Sequence, residues 1–138
     1  MDQTERLSVV RRLANGTDQL VNVPISDIRG IKTYNSVVTV HMKDGEVLYV
    51  PDYSIDGYFS LLKPYHFEKL DRNNLANMEE AAVYDGDAKR LYFEESFDKD
   101  SFYVTVSEPN IPKVKHLNNK SATAPETKKT KPRNRLVY

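Results

Sequence analysis

Five polar side chains crowd the middle of FEKLDRNNLAN at residues 67–77: Lys69, Asp71, Arg72, Asn73 and Asn74. They stand between the apolar anchors Phe67/Leu70 and Leu75/Ala76. Such a run reads as a rigidly held loop that presents donors and acceptors outward, and its chemistry is recognition by hydrogen bonds. Residues suited to covalent or metal chemistry are scattered. His41, His66 and His116 have no partner at metal-ligand spacing. Asp98 and Asp100 in SFDKDSF hint at a calcium loop but lack its glycine and its distal glutamate. No G-x-S-x-G, P-loop, H-E-x-x-H or dinucleotide fingerprint occurs. Glu79-Glu80 and Glu94-Glu95 read as solvated charge rather than as an acid/base pair. The nine tyrosines are spread along the chain; Tyr92 and Tyr103 have the spacing of a base-stacking pair, yet tyrosine is also an ordinary strand residue. The expectation is a protein that is not an enzyme, with no metal, no cofactor and no small-molecule substrate.

The elements that must hold these residues are mostly strands. Residues 6–13 and 19–23 alternate as strands around the turn Asn15-Gly16-Thr17-Asp18. A strand from Ile31 is interrupted at Tyr34-Asn35-Ser36, and 37–42 continues with period two in β-branched residues. Asp44-Gly45 turns the chain into a strand at 46–50, which Pro51 and Asp52 stop. Residues 54–62 form the best helix candidate, with Ser54 as N-cap, Asp56 in the first turn and Pro64 beyond the end. Ile55, Phe59 and Leu62 make its apolar face. Strands at 81–84 and 90–94 flank the turn Asp85-Gly86-Asp87, a last strand covers 102–107, and 110–117 suggests a short helix containing Pro112. The pattern predicts a mainly β, sandwich-like or small β-rich fold.

Composition sets the outer bounds. The chain has no cysteine, no apolar run of membrane-spanning length and no signal-peptide core, so a soluble cytoplasmic protein is expected. Its neutral total conceals an asymmetry. Residues 118–138 carry six basic residues and one acid, whereas residues 1–117 carry fourteen basic and nineteen acidic. The expected organisation is an ordered domain at 1–117 and a basic disordered tail at 118–138, the tail holding too few apolar residues to offset its ordering entropy.

Several pieces in order resemble the LytTR family of bacterial DNA-binding domains over roughly residues 7–117. Asp27-Ile28-Arg29-Gly30-Ile31 falls where the family carries D-I-x-Y-I, and Lys43-Asp44-Gly45-Glu46 resembles its next hairpin. Residues 53–62 sit at the family's helix. Residues 67–77 are similar, without a gap, to F-x-R-V-H-R-S-x-I-V-N, and 103–107 to the closing V-S strand. The resemblance implies an elongated stack of small antiparallel β-sheets with one or two short helices, whose loops enter successive major grooves of duplex DNA. It carries contact roles to the Tyr34-Asn35-Ser36 turn, to Arg72 and to the segment after Ser107. Under it, Asn35 and Arg72 read bases, while Ser36, Lys69, Asn73, Ser107, Lys113 and Lys115 position the backbone. It also implies a homodimer on repeated half-sites.

Two departures bear on that reading. Asp71 replaces the family's usual histidine, and Glu108 stands where arginine is common. Either Lys113 and Lys115 take over contact in the third region, or contact there is lost. The eight acids between Glu79 and Asp100 are expected in one hairpin; if it faces away, the DNA side can still be positive. The main expectation is a sequence-specific transcriptional regulator. The alternative is a LytTR-derived protein–protein interaction module that has lost DNA binding.

Overall fold

The structure, a computed structural model, describes residues 5–50 and 54–118. The strand stop read at Pro51 and Asp52 and the basic tail beyond Asn118 lie outside the described residues. The chain divides into two compact units, Met1–Ala81 and Ala82–Tyr138.

The first unit holds a seven-stranded antiparallel sheet in the order β2-β1-β5-β4-β3-β7-β6. Its strands are β1 (Arg6–Arg12), β2 (Asp18–Pro24), β3 (Ile28–Tyr34), β4 (Val37–Met42), β5 (Val47–Val50), β6 (Phe67–Asp71) and β7 (Asn74–Asn77). Alternation decides which side is core: Val38, Val40 and Met42 are buried, whereas Val37, Thr39 and His41 face the other way. The helix α1 (Ile55–Leu62) starts at Ser54, whose Oγ accepts a hydrogen bond from Gly57 N at 3.2 Å. Ile55, Tyr58 and Leu62 from α1 join Leu7, Val9, Ile28, Ile31, Leu48, Phe67 and Leu75 in one apolar cluster. The expected helix face is therefore corrected by one position. Tyr58 is buried and Phe59 only packs at its margin, because a spacing of three and then four suits the short helix better.

The central stretch is also tighter than a five-residue polar loop. Residues 67–77 form the hairpin β6–β7, with Asp71 paired to Asn74 and only Arg72 and Asn73 at the turn. Asn74 is 3 % exposed, since β7 lies inside the sheet between β3 and β6. A register shift between Glu68 and Asp71 leaves Lys69 and Leu70 in a bulge. At the far end of the hairpin, Asn77 Nδ2 donates to Ile28 O (2.9 Å) and Asn77 Oδ1 accepts from Glu79 N (3.0 Å).

The second unit is built on a three-stranded antiparallel sheet, with β9 (Arg90–Tyr92) between β8 (Val83–Asp85) and β10 (Tyr103–Thr105). Leu91, Phe93, Val104, Val106 and Val114 are buried there. Tyr92 stacks on Phe97 at 3.8 Å and tilts against Tyr103, so the pair considered for base stacking is engaged within the unit. In place of one helix at 110–117, two 3-10 turns occur, Glu108–Lys113 and Lys115–Leu117. Pro109 and Pro112 disfavour the α conformation at the residues before them, Glu108 and Ile111, and Pro112 has no amide hydrogen to give Glu108 O. Among the described residues, no helix is long and apolar enough to cross a membrane.

The acids between Glu79 and Asp100 do not share one hairpin. Glu79 and Glu80 belong to the first unit, 3.3 Å from His66 and 3.4 Å from Lys43 respectively. Asp85 and Asp87 flank the β8–β9 turn, and Glu94, Glu95, Asp98 and Asp100 lie on the connection from β9 to β10.

Candidate nucleic-acid interface

Within the first unit, two hairpin turns sit side by side at one end of the sheet. The first joins β3 to β4, where Tyr34 pairs with Val37 and leaves Asn35 and Ser36 as the two turn residues. Both have positive φ, 51° and 66°, the backbone pattern of a type I′ turn. That geometry suits the right-handed twist of the flanking strands, and asparagine tolerates it better than most non-glycine residues. The second turn is Arg72-Asn73. Because β3 pairs with β7, the two turns are neighbours, and Thr33 N donates to Asn73 O at 2.9 Å. The structure thus brings Asn35, Ser36, Arg72 and Asn73 together, all four exposed.

Local bonds shape the second turn. Asp71 Oδ1 accepts a hydrogen bond from Arg72 N at 2.8 Å, so the carboxylate that departs from the family pattern works as a cap on its own turn. Lys69 reaches from the β6 bulge to Asp56 at the start of α1, with Nζ 2.5 Å from Oδ1. Of the residues expected to position a backbone in this unit, Lys69 is the one already engaged in an ion pair, and its ammonium is drawn toward α1. Behind the turns, Thr39 Oγ1 lies 2.9 Å from His41 Nε2. Burial, and secondly the charge of Lys32, lower the His41 pKa to about 4, so the imidazole is neutral at pH 7. His41 is a structural residue of the sheet.

The second unit holds the other three expected positions. Ser107 precedes the first 3-10 turn, and its Oγ accepts from Asn110 Nδ2 at 2.9 Å. Buried Val114 anchors the segment, and Lys113 and Lys115 on either side of it are exposed. Glu108 forms an ion pair with Lys89, whose ammonium donates a hydrogen bond to that carboxylate and is held by it above the usual lysine pKa. The Glu108 charge is thereby locally balanced.

The first turn also carries one residue that the sequence reading did not single out, Val37, paired across the hairpin with Tyr34. Tyr34 is 75 % exposed and Val37 is 42 % exposed. For Val37 the available signal was an apolar residue directly after the turn, which period-two reading assigned to an ordinary strand face. Among the described residues, no group of three or more His, Cys, Asp or Glu is placed to hold a metal ion.

The family model described as the LytTr DNA-binding domain matches residues 18–119, from the first residue of β2 onward. Among solved structures, a LytTr DNA-binding domain from Bacillus cereus aligns with a TM-score of 0.58 at 18 % identity, over 80 % of this chain and 96 % of that one. At this identity the likeness bears on the fold. No functionally curated protein matches the sequence.

Proposed function

Because the chain belongs to the LytTR family of DNA-binding domains, we propose that it is a sequence-specific regulator of transcription that presents its hairpin turns to the major groove of duplex DNA. The observation that carries this reading is the pairing of the 35–36 and 72–73 turns, joined by the Thr33–Asn73 bond at one end of one sheet. Two stiff, exposed turns with amide, hydroxyl and guanidinium groups suit base and phosphate recognition. Asn35 reads adenine in bidentate fashion, and Arg72 reads guanine O6 and N7. Ser36, Lys69 and Asn73 position the phosphate backbone, with Ser107, Lys113 and Lys115 serving the third contact region. In this role Lys69 exchanges its Asp56 partner for phosphate. Two copies bind repeated half-sites, and the protein acts in the cytoplasm.

The test is selection of binding sites from random duplexes with the full chain, followed by affinity measurement on the recovered duplex. Arg72→Ala is expected to weaken binding by about 1–3 kcal/mol and to relax preference at one base pair. Recovery of no shared sequence, or unchanged binding by Arg72→Ala, overturns the reading.

A further inference from the structure

We propose that Tyr34 and Val37 form a reading contact for the C5-methyl group of a thymine, so that the β3–β4 turn recognises A·T base pairs by shape as well as by hydrogen bonds. The inference rests on the proposed major-groove role of this turn and names two specificity residues for it.

The two residues are cross-strand partners at the last rung of the hairpin, and partners opposite each other project their side chains to the same side. Both are exposed where a strand end has no core to meet, Tyr34 at 75 % and Val37 at 42 %. The other large exposed apolar side chains among the described residues, Leu20, Val47, Leu61 and Tyr65, are not paired in this way beside polar turn residues. Here the apolar pair brackets Asn35 and Ser36, with the Arg72-Asn73 turn alongside. An apolar patch ringed by donors and acceptors matches a base edge that is itself mixed.

In the major groove, that description fits one base. Thymine alone presents a methyl group there, next to the O4 acceptor, while its adenine partner offers the N6/N7 pair that an asparagine amide can bind. A two-stranded ribbon fits the major groove, about 12 Å wide, whereas the minor groove is about 6 Å wide and shows no methyl group. The positive φ values at Asn35 and Ser36 hold the turn to two residues, which keeps Tyr34 and Val37 at the tip.

The experiment replaces each thymine in turn by deoxyuridine in the duplex that the full chain selects from a random pool. This removes the methyl group and leaves the hydrogen-bonding edge intact. Wild-type dissociation constants should rise about three- to fivefold at one or two positions, the scale of a single buried methyl group. Tyr34→Ala and Val37→Thr should bind the thymine duplex more weakly and lose that discrimination, while Tyr34→Phe keeps it. A wild-type protein indifferent to every replacement overturns the inference and needs no variant to do so. Variants that discriminate as wild type does also overturn it. If no shared sequence is selected, the proposed function falls and this inference with it; a selected sequence without methyl dependence removes this inference alone.

Discussion

Ser36 is a residue whose type and backbone geometry disagree. A non-glycine residue at a φ of 66° carries a left-handed penalty that asparagine next to it largely escapes. Ser36→Gly is therefore expected to raise unfolding stability by about 1 kcal/mol, read as a higher urea midpoint. If the hydroxyl positions a phosphate as proposed, the same substitution lowers DNA affinity, so stability and binding move in opposite directions. A change that raises both assigns Ser36 to the turn alone. Asp71 and Glu108 teach a related lesson about single letters. Their charges suggested a lost DNA face, but one caps the amide of Arg72 and the other is paired with Lys89. These partners are one residue and nineteen residues away in sequence, and only the first could be read without a fold.

At the scale of elements, the hairpins and α1 were readable because turn chemistry, capping and period-two alternation are local signals. What was hidden depended on neighbours. Asn74 has a polar side chain but sits in a strand enclosed by β3 and β6, a position that no count along the chain reveals. Tyr58 and Phe59 are both apolar at helical spacing from Ile55, and the packing of α1 on the sheet chose the former. Asn77 shows how such an element is secured. Its side chain bonds Ile28 O and Glu79 N from a site 3 % exposed, fixing the base of the β6–β7 hairpin opposite the turn. Asn77→Ala leaves both groups without that partner and should cost about 2–3 kcal/mol in urea unfolding. A loss below half of that would mean water replaces the amide.

For the whole molecule, the resemblance to the LytTR family carried more than composition did, and the family match bears it out. Nothing in composition marks the passage from the first compact unit to the second at Ala81 and Ala82, because both sides carry mixed charge and β-rich sequence. Charge is the property to test at this scale. Residues 1–117 have five more acids than bases, and residues 118–138 have five more bases than acids. We propose that the basic segment adds sequence-neutral attraction to phosphates. Deleting residues 118–138 should weaken specific and random DNA alike and flatten the dependence of binding on salt, since each lost phosphate contact lowers the slope by about 0.9. Unchanged affinity for random DNA at low salt would remove that role.

The two neighbouring turns differ in how freely their letters can be rewritten. At 35 and 36 the left-handed backbone restricts the usable alphabet to asparagine, aspartate, glycine and a few tolerant residues, whereas 72 and 73 have no positive φ. Under the proposed base-reading role, new operator preferences would come mainly from 72 and 73 and from the flanking pair Tyr34 and Val37, none of which has a positive φ. Positions 35 and 36 would remain a nearly constant word to which the variable ones are appended.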